Sequence, residues 1–176
     1  MVKFFLLALL LSCASHQGPK IELKDSSGKS AASIIREFYH TYLNKAQYNS
    51  TSSECLKHSK AFDQLLDENY KVCTENAGTD ICGWGSGGDV YLNAQEIAPD
   101  LNVQNSGLQV FSDKGLIIVT LNVYPSYVED KDFYDRTIMY SVILEDGKWV
   151  VDDVFYDKSD SARESILKEI EIYKKK

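Results

Sequence analysis

The sequence predicts an α+β fold: two N-terminal helices packed on a curved antiparallel sheet of about four strands, with a C-terminal helix closing the chain. Three observations carry this. Apolar residues recur at helical spacing up to Cys73, the period changes to two after Gln104, and helical spacing returns after Ser161.

The first helix spans Ser30 to Leu43, with Ile35, Phe38, Tyr39 and Tyr42 on one face and Arg36, Glu37 and Thr41 elsewhere. The second runs from Thr51 or Ser52 to Cys73. Its N-terminus is set by the capping box Thr51-Ser52-Ser53-Glu54, and its face by Cys55, Ser59, Phe62, Leu65, Leu66, Asn69, Val72 and Cys73. The segment Asp89 to Glu96 reads either as a short helix or as an irregular loop. Ile117, Val119, Leu121 and Val123 then form an apolar strand face, entered by the turn Asp113-Lys114-Gly115. Ile138, Tyr140, Val142 and Leu144 repeat that pattern, and Asp146-Gly147 is a two-residue hairpin signal leading into Lys148 to Tyr156. A second capping box, Ser161-Ala162-Arg163-Glu164, opens the last helix, which buries Ile166, Leu167, Ile170 and Tyr173.

With 176 residues and 44% hydrophobic content, the chain fits one ordinary domain plus an export signal. The formal charge of -7 argues against a nucleic-acid partner, because phosphate binding needs concentrated Lys and Arg. Lys174 to Lys176 is the one basic cluster, and it suits the negative end of a helix dipole. At the other end, Lys3 precedes the apolar run Phe4 to Leu11 and the small residues Ser12-Cys13-Ala14, the grammar of a signal peptide. Leu10-Leu11-Ser12-Cys13 resembles the bacterial lipobox, although Leu11 is an unusual choice at its position. The resemblance implies a lipid on Cys13, and Ala14, in place of an inner-membrane retention Asp, implies the outer membrane. Simple secretion with cleavage after Ala14 is the alternative. The expected organisation is a lipoprotein signal peptide over 1–12, a lipidated Cys13 with a flexible tether over 13–29, and a single α+β domain over 30–176.

Giving Cys13 to lipid leaves Cys55, Cys73 and Cys82, an odd set for an oxidising compartment. Were Cys55 and Cys73 on one continuous helix, they would stand about 27 Å apart, against a limit of about 7 Å for bridged Cα atoms. Cys73 with Cys82 is the favoured disulfide, closing a segment with the turn-forming Asn76, Gly78 and Asp80. A Cys55 to Cys82 bridge requires the chain to double back, and a retained Cys13 would reopen a pair with Cys55.

The meander ends in Gly147-Lys148-Trp149-Val150-Val151-Asp152-Asp153-Val154, and with the two preceding helices it looks like the cystatin-like, or nuclear transport factor two-like, cone. The stretch from Trp149 to Tyr156 with Ser159 to Glu171 resembles the envelope lipoproteins of the YbjP type. That family also includes immunity proteins that block type VI secretion amidases. The resemblance implies a periplasmic binding protein and no catalysis. The stretch from Cys73 to Cys82 has no counterpart in that pattern.

Candidate sites follow from residue chemistry. Neighbouring side chains of an unbulged strand alternate faces, so either Asp152 or Asp153 must point inward, where it would serve as a base, cap backbone amides, or pair with Arg136 or Lys148. Tyr39, His40, Trp149, Asp152 and Asp153 are therefore the pocket candidates for an isomerase-like or small-molecule site in the cone. His40 borders the apolar stripe and belongs to the helix flank. Tyr127, Glu129, Asp130, Asp132, Phe133 and Tyr134 form an acidic and aromatic stretch between strands, read either as a solvated loop or as a surface for a basic protein partner such as a secreted peptidoglycan amidase. Trp84 lies in the glycine-rich run Gly83 to Gly88, which lacks the Lys-Ser/Thr ending of a phosphate loop and reads as a partner-binding tip. No cofactor is expected. Nor is a metal, since the three histidines are His16, His40 and His58 and the first lies in the tether. A blander alternative is an envelope-assembly lipoprotein.

Overall fold

A computed structural model describes residues 23–45, 56–78, 80–127 and 131–175. Three helices, α1 (Ala31–Lys45), α2 (Lys60–Asn76) and α3 (Ala162–Tyr173), accompany four strands, β1 (Gln109–Asp113), β2 (Leu116–Asn122), β3 (Asp135–Glu145) and β4 (Lys148–Phe155). The strands form one antiparallel sheet in the order β1-β2-β3-β4, the meander expected of short connections. Its hairpin tips are set locally. Lys114-Gly115 and Asp146-Gly147 all have positive φ, the conformation in which a two-residue turn matches the strand twist.

The inner face of β2 is buried as expected at Ile117, Val119, Leu121 and Val123, and it faces α1 through Ile35, Tyr39 and Leu43. β1 is an edge strand, and Arg36 of α1 donates to its Val110 carbonyl at 2.6 Å, occupying an acceptor that another chain would otherwise pair with. α2 packs chiefly against α3 rather than on the sheet.

Several sequence expectations need correction. α2 begins at Lys60, not near residue 51, and residues 51–55, with Cys55 and the expected capping box, lie outside the described residues. Ser59 is the N-cap, its hydroxyl accepting from the Phe62 amide at 3.1 Å. Just before it the chain runs extended beside β4, with the Val151 amide donating to Lys57 O at 2.8 Å and the Ser59 amide to Val151 O at 2.7 Å. The free edge of β4 thus offers these residues the hydrogen bonds a longer helix would have supplied. The helical argument against a Cys55 to Cys73 bridge loses its premise, yet Cys73 is bonded to Cys82, with Cα atoms 5.4 Å apart. Segment 89–96 is an irregular loop closed by an Asp89–Ala94 pairing. Gly88 is required there, since a Cβ would stand 2.8 Å from the Ala94 carbonyl oxygen. On α3, Ile166 and Ile170 are buried but Leu167 is 55% exposed, and on β3 Leu144 is exposed at the hairpin end. The end of the expected tether is also built into the domain: Asp25 accepts from the Ser27 and Lys29 amides, the Ser26 amide donates to Gly147 O at 2.8 Å, and the Trp149 indole donates to Lys29 O at 3.0 Å.

At the centre, Tyr39 and Tyr140 are both 0% exposed and share a 2.7 Å hydrogen bond between hydroxyls. Tyr39 donates onward to the Tyr91 carbonyl at 2.6 Å, so Tyr140 is the donor to Tyr39. Burial raises both phenols well above their ordinary value. Tyr39→Phe removes the donor to the Tyr91 carbonyl and the acceptor of the buried Tyr140 hydroxyl and should cost about 2–3 kcal/mol in urea unfolding, whereas Tyr140→Phe leaves Tyr39 its acceptor and should cost about 1 kcal/mol. A raised folded value means the unfolded chain ionises first. Stability should therefore be intact below pH 10 and fall above it, by up to about 1.4 kcal/mol per pH unit for each such tyrosine, with a shallower fall in Tyr140→Phe.

Candidate functional site

The paired acids of β4 sit at an irregularity that alternation alone does not reveal. Val142 pairs with Val151 but Ser141 pairs with Asp153, leaving Asp152 as an extra residue in a bulge. The bulge inverts the parity of the strand. Trp149 and Val151 share a face with Val154 and Tyr156, not with Asp153 and Phe155, so the two alternating sets expected for a regular strand are each split.

Both carboxylates are taken up by helix starts. Asp153, 9% exposed, accepts from the Ser161 hydroxyl at 2.6 Å, the Val154 amide at 2.8 Å and the Arg163 amide at 3.1 Å. Ser161 is itself the N-cap of α3, its hydroxyl accepting from the Glu164 amide as the capping box requires. Asp152 accepts from the hydroxyl of Ser59, the α2 cap, at 2.6 Å and from the Arg163 guanidinium at 3.0 Å. The expectation of amide capping is met, but the cation is Arg163. Arg136 is held by the carbonyls of Asn93 and Phe133, and Lys148 is exposed on the hairpin. Asp153 thus binds the cap hydroxyl and the Arg163 amide of the α3 start together with the β4 amide of Val154, which ties the helix start to the strand.

The other pocket candidates do not converge on an open chamber. Tyr39 is sealed by Tyr140, His40 is exposed on the outside of α1, and Trp149 lies at the far end of the sheet, pinned to Lys29. Trp84 packs edge-on against Phe62 and His58, at 5.5 and 5.9 Å, over the α2 start. It is half-buried, so the glycine-rich tip presents the backbone of Gly85 to Gly88 to solvent instead of the indole. Burial lowers the His58 imidazole below its ordinary value, against the opposing pull of Asp63, whose carboxylate lies 3.1 Å from Nδ1. The 83–88 loop is tied down by Asn69, which accepts from the Trp84 amide at 2.9 Å and donates to Glu169 at 2.7 Å, and by the adjacent disulfide. Among the described residues, Cys73, Cys82 and Glu169 bring three donor atoms within 4.8 Å, but both sulfurs are committed to each other.

The aromatic stretch between β2 and β3 is where the surface is most distinctive. Glu129 and Asp130 lie outside the described residues, and Asp132 falls in the short 3-10 turn Lys131–Tyr134. Tyr134 is the hub, with ring centres of Tyr124, Phe133 and Tyr127 at 4.8, 5.1 and 5.2 Å. Phe133 is 70% and Tyr127 45% exposed. These rings line a groove of about 640 Å³ completed by the 93–96 loop and Arg136. Sequence reasoning missed Tyr124, Glu96 and Arg136 as neighbours of this ridge, because the loop that brings residues 93–96 there has no period of its own. It also missed Ser59, Arg163 and Asn69 as the partners that immobilise the acids.

No protein family model matches the chain, and no curated protein and no solved structure matches it.

If Asp153 is the buried anchor of α3, Asp153→Ala should cost about 2–4 kcal/mol by urea unfolding, since three donors lose their acceptor. Asp152→Ala removes a partly exposed pair and should cost about 1 kcal/mol. Equal costs would contradict the assignment.

Proposed function

We propose that this chain is a membrane-anchored periplasmic binding protein without catalytic activity, of the immunity type, which captures and neutralises a secreted peptidoglycan-degrading amidase. The observation that carries the reading is the aromatic ridge in which exposed Tyr127 and Phe133 pack on half-buried Tyr134, within a stretch of acidic sequence. Rigid aromatic side chains give large contact area at small entropic cost, and they dominate binding energy when a partner covers them. Acidic neighbours favour a basic target by steering encounter, and enzymes that work on the anionic cell wall carry basic surfaces. The lipobox-like leader and the likeness of the last strand and helix to the YbjP-type lipoproteins add to it.

The topology supplies a further argument. β3 runs from the ridge at Asp135 to the hairpin at Glu145, eleven residues, or roughly 35 Å of strand. The 25–29 turn is seated on the hairpin end. A chain tethered through its N-terminus therefore carries the ridge on its distal side, away from the bilayer. A catalytic reading of the interior draws less support, because Tyr39 and Tyr140 fill the centre and the two acids are occupied.

The purified chain should retain a cell-wall amidase from envelope and secreted fractions and inhibit its hydrolysis of peptidoglycan. Phe133→Ala combined with Tyr127→Ala should weaken binding by about ten-fold or more, and raised salt should slow association. Recovery of no wall hydrolase, or full inhibition by the double variant, would reject the proposal. Mass spectrometry of the mature N-terminus should find a diacylated Cys13.

A further inference from the structure

At the hairpin end of the sheet, two clefts meet around Trp149. One, of about 400 Å³, lies between α1 and the start of β4, and the other, of about 710 Å³, lies between the α1 start and the β1–β2 hairpin. Ala31, Val142 and Trp149 line both, so the two adjoin end to end as a bent channel with the indole, held by its bond to Lys29 O, at the junction. The walls are mainly apolar, with Ile34, Ile35, Phe38 and Leu56 in the first cleft and Leu116 and Ile117 in the second. Polar residues stand beside them, Ser26, Ser27 and Thr41 in the first and Ser112, Asp113 and Lys114 in the second.

The charges at the first cleft are unequal in what remains to them. Asp25 is engaged by the amides of Ser27 and Lys29, and Glu37 by the Lys29 ammonium. Nearby, Asp146 is paired with Lys60, and Glu145, which faces Lys148 across the hairpin, accepts from the Lys60 amide. Two further cations, Lys57 and Lys148, stand exposed at the rim, and both line the cleft. A mainly apolar channel whose first cleft holds engaged acids and the exposed ammonium groups of Lys57 and Lys148 matches a single aliphatic chain ending in an anion.

We infer that this channel binds a long-chain carboxylate, its alkyl chain lying along α1 past Trp149 and its headgroup between Lys57 and Lys148. The site stands apart from the aromatic ridge and does not depend on the partner proposed for it. It lies at the end where residues 23–29 enter the domain, the side that faces a bilayer if the chain is anchored through Cys13.

Trp84 and Trp149 are the only tryptophans, so a Trp84→Phe chain reports on Trp149 alone. Laurate should shift its emission to the blue in a saturable way at micromolar concentration, and dodecyltrimethylammonium, with the same chain length and opposite charge, should bind about ten-fold more weakly. Lys57→Glu with Lys148→Glu should weaken laurate by about ten-fold while leaving the circular dichroism and the urea midpoint unchanged. Val142→Phe, which narrows the channel, should weaken laurate without reversing the charge preference. The inference is overturned by the absence of a saturable response, by equal binding of the two amphiphiles, or by charge reversal without effect. A shift that tracks protein concentration in the absence of laurate would also overturn it, assigning the channel to self-association.

Discussion

Two consecutive carboxylates at a bulge in β4 hold the two outer helices to the sheet. Asp152 receives the cap of α2, Asp153 receives the cap of α3, and Arg163 contributes to both, its guanidinium to the first and its amide to the second. α2 and α3 pack mainly on each other and each also meets β4. The acids add to the backbone bonds between residues 57–59 and Val151 and to the Lys60 contacts with the hairpin. Burying Asp153 is costly for a charge left unpaired, but amides at a helix N-terminus carry the positive end of the helix dipole, and three donors in fixed positions offset the loss of water. The extra residue that admits Asp152 also turns Val154 and Tyr156 inward, so one local irregularity serves both the core and the helix starts.

The same arrangement commits the side chains of the interior. Residues that a catalytic reading of the cone would recruit are committed to the architecture: Tyr39 to Tyr140 and the Tyr91 carbonyl, Asp153 to α3, Asp152 to α2. The phenols remain in their neutral form because burial opposes their ionisation, which suits a hydrogen-bonded core and not an acid-base site. The exposed aromatic ridge lies at one end of the sheet and the clefts around Trp149 at the other.

Much of the fold was legible because its signals are local. The Asp146-Gly147 turn, the β2 alternation, the Ser161 capping box and the short Cys73 to Cys82 segment each contain within a few residues what determines them. The failures share one cause. The α2 start depends on the free edge of β4 some ninety residues away (Ser59 to Val151), the β4 parity on a bulge defined only by the register of β3, and the exposure of Leu167 on which side of α3 meets α2. None of these is encoded in periodicity. The candidate site divides in the same way: its aromatic residues stand out in the sequence, whereas the loop that completes their groove does so only in the folded chain.

The division of the surface into two ends follows from connectivity. In an up-and-down meander the β1–β2 and β3–β4 tips must lie together, and the β2–β3 connection must lie at the opposite end. The 25–29 turn binds at the first end because Gly147 O and the Trp149 indole offer it a hydrogen-bond acceptor and donor there. Residues 25–29 are therefore fixed in position relative to the sheet, at its hairpin end. In the proposed function, an anchor preceding residue 23 would give the ridge and the clefts around Trp149 different surroundings. A long flexible connection joining the sheet near the ridge would have erased this distinction. The ordered turn and the strand length of β3 preserve it, so that occupancy of one end need not obstruct the other.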